Sequence, residues 1–274
     1  MTDQFGLAAF SPHEIAVRLE SVGVSKARMA THQVIMLGLL AGGFISLGSI
    51  FFATVVSDAT LGWGWSRVLG GFVFYLGLSL VILAGAELFT GNNLIVMAWA
   101  ARKIGVRDVM RNWTTVFITN FIGALVMVAL IYFANQGALN GGKVAEQYVK
   151  IAAAKAALPW AEAFFRGVLC NALVCLAVWA SMGGRTVTDK FVASVLPITA
   201  FVACGFEHCV ANMFFLPMGW LLRGSAPAGF DLSALNAGGI ASNLSAVTLG
   251  NLVGGTLFVG MVYWVIYQYG QPKA

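Results

Sequence analysis

Residues 205–212 read Gly-Phe-Glu-His-Cys-Val-Ala-Asn and lie in the middle of an apolar run that extends from about 191 to 222. A titratable side chain at the depth of a bilayer costs a few kcal/mol or more, so such residues face a bundle interior or an aqueous cavity and mark a pathway. Glu207 and His208 are neighbours there, flanked by Gly205 and Asn212, two residue types that weaken a helix interior. The run is therefore expected to break at this octet, beside a pore.

A second copy lies 120 residues earlier. Residues 85–92, Gly-Ala-Glu-Leu-Phe-Thr-Gly-Asn, repeat the spacing Gly-x-Glu-x-x-x-x-Asn inside an apolar run from about 68 to 99. Downstream, Asn120, Phe121, Ile122 and Gly123 are echoed by Asn251, Leu252, Val253 and Gly254. Matching order in the two halves indicates a duplicated chain.

Composition decides the class. Of 274 residues 59% are hydrophobic and only 10% charged, against about 25% charged in a soluble domain. Apolar runs at roughly 33–56, 68–99, 113–135, 160–181, 191–222 and 245–269 each reach the ~20 residues that a span requires. The expected fold is all-α integral membrane, with six transmembrane helices. The second and fifth runs are too long for one straight crossing, since at ~1.5 Å per residue they would extend ~48 Å through a ~30 Å core. These two runs carry the octets, so both are expected to be broken helices, as in inverted-repeat transporters. Irregular backbone at that depth needs protein or a watery cavity around it.

Orientation follows from the loops, because retained cytoplasmic loops are rich in Lys and Arg. Arg18, Lys26, Arg28, Arg102, Lys103, Arg107, Arg111, Arg185 and Lys190 fall on one side; Arg67, Lys143, Lys150, Lys155, Arg166 and Arg223 fall on the other. Both termini are expected in the cytoplasm, and three spans per half invert the second half relative to the first. The net charge of +5 is absorbed by this asymmetry, and no basic cluster interleaved with aromatics suggests a nucleic-acid partner. Cys170, Cys175, Cys204 and Cys209 lie in expected spans without C-x-x-C spacing, so neither a disulfide nor a metal or other cofactor is expected. The organisation read here is a cytoplasmic N-terminal segment 1–32, a channel domain 33–269 with repeats at about 33–135 and 160–269, and a cytoplasmic tail 270–274.

Residues 1–10 contain Asp3 and no basic stretch leading into an apolar core, unlike a cleaved signal. Ser11, Pro12 and Glu14 form a helix-start signature; Ile15, Leu19 and Val22 share a face, and the helix is expected to end near Gly23. It reads as a surface anchor or as a gate over a pore mouth. The linker from Asp58 to Trp65 reads as a tight turn among aromatics. Phe74 and Leu78, one turn apart ahead of the first octet, are either bundle core or apolar constrictions flanking a polar site. Thr90, inside the break, can turn its hydroxyl outward. A surface helix is expected around 144–157, and its Lys155 can raise the local anion concentration at the outer mouth. Asn171 either glues two helices or lines the path. Tyr263, Trp264, Tyr267 and Tyr269 read as an interfacial belt.

His208 is the one histidine expected inside the membrane, which makes it a functional candidate. Glu87 and Glu207 are expected to accept bonds from backbone amides freed at the breaks. Each break also exposes a helix N-terminus that favours an anion. No Ser-His-Asp arrangement, hydrolytic carboxylate pair, metal cluster or phosphate loop is present, so transport rather than enzymatic activity is the economical reading. A membrane enzyme using His208 and Glu207 would need a further catalytic partner.

Glu87, Leu88, Phe89, Thr90, Gly91 and Asn92, together with residues 205–213, resemble the two signatures of the formate/nitrite transporter family. The resemblance extends to Asn112 and Trp113, residues 175–179 and residues 247–251, and residues 214–219 and 263–267 are similar to the formate channel branch. Around Gly91, Asn92 and Asn93 the chain departs from the Ser-rich loop of some formate channels. The resemblance implies an aquaporin-like six-helix protomer, a homopentamer in the inner membrane, and a separate pore in each subunit for a small monovalent anion, with lipid around it. It further implies Phe74 and Phe201 as the outer constriction, Leu78, Leu88 and Val174 as the inner one, Thr90, Asn171 and His208 as the polar site between them, and Lys155 in the outer vestibule. Asn92 and Asn212 join Glu87 and Glu207 in supporting the breaks. The alternatives are nitrite, hydrosulfide or another weak-acid anion on the same fold, and a neutral-solute pore for water or glycerol. Against the last, the Asn-Pro-Ala motifs are missing. His208 either protonates the passing anion, so that a neutral weak acid crosses, or stays neutral and hydrogen-bonds it.

Overall fold

The computed structural model describes residues 8–57, 60 and 62–270. Residues 1–7 and 271–274, and most of the 58–61 linker, lie outside the described residues, and with them the expected start of the chain, the expected cytoplasmic tail and the first part of the expected Asp58–Trp65 turn.

Helix α1 (Pro12–Arg28) begins with the predicted cap: the Ser11 backbone N–H and hydroxyl each donate to Glu14 Oε2 at 2.7 Å. It does not stop near Gly23. A Cβ at Gly23 would stand 3.0 Å from Ala98 Cβ, so this glycine allows a close crossing, and the helix continues for more than a turn to carry Lys26 inward. Helices α2 (Thr31–Val56) and α3 (Trp63–Leu80) follow. Trp63 and Trp65, expected in a turn, instead open α3. A π-helical turn, Val81–Gly85, extends α3 before the chain breaks, and the run resumes as a 3-10 turn, Gly91–Ile95, and the short helix α4 (Val96–Ala100). Helix α5 (Val106–Phe133) crosses back, and α6 (Lys143–Ala156) is the predicted surface helix. The second half repeats the plan: α7 (Trp160–Gly183), α8 (Val187–Ala203), a break, α9 (Cys209–Leu221) and α10 (Ala237–Gly255), which runs on through a π turn into α11 (Val262–Tyr267).

Among the described residues five helices are long and apolar enough to cross a membrane alone: α2, α3 with its π turn, α5, α7, and α10 through α11. The sixth crossing is the pair α8 and α9, each too short by itself because the octet divides the run. The duplication is structural. Helix α2 packs on α3 and α5 as α7 packs on α8 and α10; α1 lies on the segment after the first break as α6 lies on α9, and α3 meets α8 across the pseudo-axis. Small residues set the crossings: a Cβ at Gly123 would stand 2.1 Å from the Leu39 carbonyl oxygen, and one at Gly254 2.1 Å from that of Val168. Backbones can approach this closely only without a side chain.

Candidate functional site

Both breaks turn at a glycine with left-handed backbone, Gly85 at φ +83° and Gly205 at φ +74°, a region that side-chain-bearing residues avoid. After Gly85 the chain is extended at Ala86; after Gly205 an irregular stretch leads to His208, which is extended and caps α9. This irregular backbone is satisfied by a frame of side chains that occurs twice.

In the first frame, Asn120 Oδ1 accepts from Phe89 N at 2.9 Å, while its Nδ2 donates to the carbonyls of Gly38 and Glu87 at 2.8 and 2.9 Å. In the second, Asn251 Oδ1 accepts from Cys209 N at 2.9 Å, and its Nδ2 donates to Gly167 and Glu207 at 2.8 and 2.9 Å. These asparagines serve the freed amides, a task the sequence reading gave to the glutamates. The glutamate carboxylates accept from side chains instead. Glu87 holds Lys26 Nζ at 2.5 Å and Asn92 Nδ2 at 2.6 Å; Glu207 holds Lys155 Nζ at 2.8 Å and Asn212 Nδ2 at 2.7 Å. Asn92 and Asn212 in turn donate to Asn112 and Asn243. A carboxylate buried at this depth requires a cation and donors, and a backbone amide is no substitute for the cation.

Read from sequence alone, Lys26 is a topology charge, and Asn112 and Asn243 carry no structural task. A signal existed: Lys26 and Lys155 are spaced like Gly38 and Gly167, and Asn112 and Asn243 like Asn120 and Asn251. Helix α1 is thus the first-half counterpart of α6, each delivering a lysine from its last turn.

Between the frames, His208 Nε2 and Thr90 Oγ1 meet at 2.9 Å, one residue from each half. His208 Nδ1 accepts from Ala211 N at 3.2 Å. A ring nitrogen that accepts an N–H carries no proton, so the neutral ring bears its proton on Nε2 and donates it to Thr90. Phe201 stacks on His208 with centroids 5.9 Å apart, and Phe74 meets Phe201 edge-on at 5.7 Å. Two cavities reach toward this cluster. One, of about 430 Å³, is lined by Phe74, Phe201, His208, Lys155, Glu207, Arg67 and Arg166 among others. The other, of about 400 Å³, is lined by Leu78, Leu88, Lys26, Glu87, Asn92 and Lys190 among others. Phe74 and Leu78 are one turn of α3 apart, roughly 6 Å at ~1.5 Å per residue, so the plug between the cavities is thin and mostly apolar.

Thr90, Val174 and Asn171 line neither cavity. Thr90 and Val174 are buried. The Asn171 amide donates to the Thr90 carbonyl at 3.2 Å, to Asn93 Oδ1 at 2.7 Å and to the Asn251 carbonyl at 2.7 Å. Of the two roles left open for it, the geometry supplies helix glue: Asn171 ties the first break to α10 and leaves no amide hydrogen for a solute. Lys155 lines its cavity while paired with Glu207, so its charge is partly spent locally.

Two facing cavities, an apolar plug with one polar contact, and paired broken helices in inverted repeats define a membrane channel or transporter. Comparison with known proteins gives its family. A model described as "Formate/nitrite transporter" matches residues 13–265, and the chain belongs to that family of transporters, which are not enzymes. It is 39% identical over 269 residues to the formate channel FocA of Escherichia coli (strain K12), covering 93% of this chain and 94% of the relative. Among solved structures it is similar to a pentameric formate channel with formate bound, at TM-score 0.79 and 38% identity over 87% of this chain and 98% of that one. It is also similar to an FNT family ion channel, at TM-score 0.81 and 29% identity over 94% and 99%.

Proposed function

We propose that this chain moves formate across the inner membrane as one protomer of a homopentamer, each with its own pore. The observation that carries the reading is the Thr90–His208 contact at 2.9 Å, held between two cavities by apolar neighbours on both sides. In this reading Phe74 and Phe201 form the outer constriction, Leu78, Leu88 and Val174 the inner one, and Lys155 stands in the outer vestibule. Glu87, Asn92, Glu207 and Asn212 hold the breaks open, with Asn171 fixing Thr90 from behind. The N-terminal segment 1–32 and the tail are cytoplasmic, flanking a channel domain over 33–269. The similarity to formate channels and the loop charges support these assignments.

An anion must shed water to pass the plug, and an uncompensated charge there is costly. His208 offers two remedies. As the neutral ring it donates Nε2–H to the passing carboxylate, taking the bond now given to Thr90. As an imidazolium it transfers that proton, so that formic acid crosses and the ring returns neutral. The imidazolium carries a second proton on Nδ1, which requires giving up the Ala211 N–H bond at the start of α9. The observed geometry therefore favours the neutral donor, and proton transfer is coupled to loss of that cap.

Uptake of formate, nitrite and glycerol into proteoliposomes over a pH series, native against His208→Phe, tests this. Saturable formate flux, with anion handling altered in the variant, is the expected result. Pronounced pH dependence that disappears in the variant identifies proton transfer; its absence identifies the neutral donor. If glycerol alone moves, the anion reading fails.

A further inference from the structure

We propose that Arg67 and Arg166 form a docking site for a small carboxylate at the rim of the second-break cavity, ahead of the Phe74–Phe201 constriction. Arg67 comes from α3 in the first half and Arg166 from α7 in the second, and both line the same cavity. Both guanidinium groups are mounted on the backbone where α8 ends: Arg67 Nε donates to the Ala203 carbonyl at 2.9 Å and its Nη2 to that of Val202 at 2.6 Å, while Arg166 Nη1 donates to that of Gly205 at 3.4 Å.

Among the described residues Arg67 has no carboxylate partner, and Arg166 has only Glu162, an i,i+4 neighbour that is 46% exposed. A surface pair of that kind neutralises little. A guanidinium has five N–H donors in a planar fork, and neither arginine uses all of them on the protein. Two such forks, held by backbone bonds to one helix end and lining one cavity, match the planar two-oxygen edge of a carboxylate better than a spherical halide. Arg67, Lys155 and Arg166 against Glu207 also leave this cavity with an excess of positive charge. The formate assignment rests on the reading above; the arginine site does not require that formate be what crosses.

The molecule contains its own probe. Cys204 is exposed and lies between the carbonyls that hold the arginines, whereas Cys170, Cys175 and Cys209 are buried. The test is the rate at which Cys204 reacts with an anionic and with a cationic methanethiosulfonate of similar size, in full-length protein in liposomes, with Cys204→Ser as blank. The native anionic-to-cationic rate ratio is expected to fall about tenfold in Arg67→Gln/Arg166→Gln, within the range of local focusing by a charged cleft. Sodium formate is expected to slow labelling of the native protein more than sodium chloride at equal ionic strength, and to lose that advantage in the variant. Arg67→Lys keeps the charge without the fork, and is expected to retain the anionic preference and lose the formate-over-chloride difference. An unchanged ratio in the Gln variants, or equal protection by formate and chloride in the native protein, overturns the site. Should the double variant fail to fold, Arg166→Gln and Arg67→Lys decide by the same criteria. Formate flux with indifferent labelling removes the site and leaves the transport reading; responsive labelling without formate flux does the reverse.

Discussion

At the first break, the position 120 residues before His208 is Leu88, which lines one cavity; His208 lines the other. Around them the two halves carry the same Lys–Glu–Asn–Asn frame and the same asparagine on the same three kinds of backbone group. The scaffold is duplicated and the chemistry is not. Half one contributes a hydroxyl and a greasy wall, half two an imidazole that also starts a helix. Even the frames differ in detail. Asn243 Nδ2 reaches the Lys155 carbonyl at 2.9 Å, while among the described residues Asn112 Nδ2 and Asn212 Oδ1 have no partner. Duplication thus fixes where backbone must be irregular, and divergence at one position on each frame decides what that irregular backbone presents.

If the frames are equivalent, their asparagines should be equally indispensable. Asn251→Ala strands Cys209 N and the carbonyls of Gly167 and Glu207; Asn120→Ala strands Phe89 N and those of Gly38 and Glu87. At ~1–3 kcal/mol per unsatisfied buried group, each variant is expected to lose roughly 3–9 kcal/mol. This is measured as lost yield of folded protein and lowered Tm; a strong effect in one half only breaks the equivalence.

The lysines should separate the halves. Lys155 is 16% exposed and Lys26 23%. Removing one partner of a buried pair costs about 3 kcal/mol or more, so Lys155→Ala is expected to destabilise by about 3 kcal/mol, and Lys26→Ala by less. Thermal unfolding checks the order, and the reverse order would show that α1 locks its frame more tightly than α6.

Smaller effects are expected at the turns. Ala at Gly85 or Gly205 forces a side-chain-bearing residue into left-handed backbone, about 1–2 kcal/mol. A Cβ at Gly85 meets nothing within 4 Å, whereas one at Gly205 comes within 3.3 Å of Arg67 Nη2. Gly205→Ala should therefore be the worse of the two in Tm, with the added effect falling on the arginine.

The smallest contrast is at the surface helices. The Ser11 hydroxyl and backbone N–H hold the Glu14 carboxyl below the ordinary carboxylate range, whereas α6 begins at Gly142 without a side-chain cap. A lowered folded-state value means that the stabilisation is present above the unfolded-state value and is lost as pH falls through the folded-state one. Limited proteolysis is thus expected to show the start of α1 loosening on acidification, an effect that Glu14→Gln removes.

Much of this was legible in the sequence because burying polar groups is costly enough to be seen in composition. The excess length of two apolar runs, and the glutamates inside them, located both breaks and the His208 site. Partners were less legible. Glu87 declares that something must compensate it, but Lys26 is far away in sequence and looks like any loop cation. Asn171 declares an amide in need of bonds without saying whether protein or solute supplies them. Gly23 marks a helix end in many sequences and here marks a close crossing, because Ala98 lies opposite. Local chemistry states the demand, and only the fold states which residue meets it.

The pairing of Lys26 with Glu87 and of Lys155 with Glu207 has a consequence for biosynthesis. The cation precedes its carboxylate by 61 residues in the first half and by 52 in the second. In both halves the lysine leaves the ribosome first, on an amphipathic helix that can wait at the membrane surface. Each buried acid thus enters the bilayer with its counter-ion already made, and neither half depends on later synthesis to neutralise its own charge.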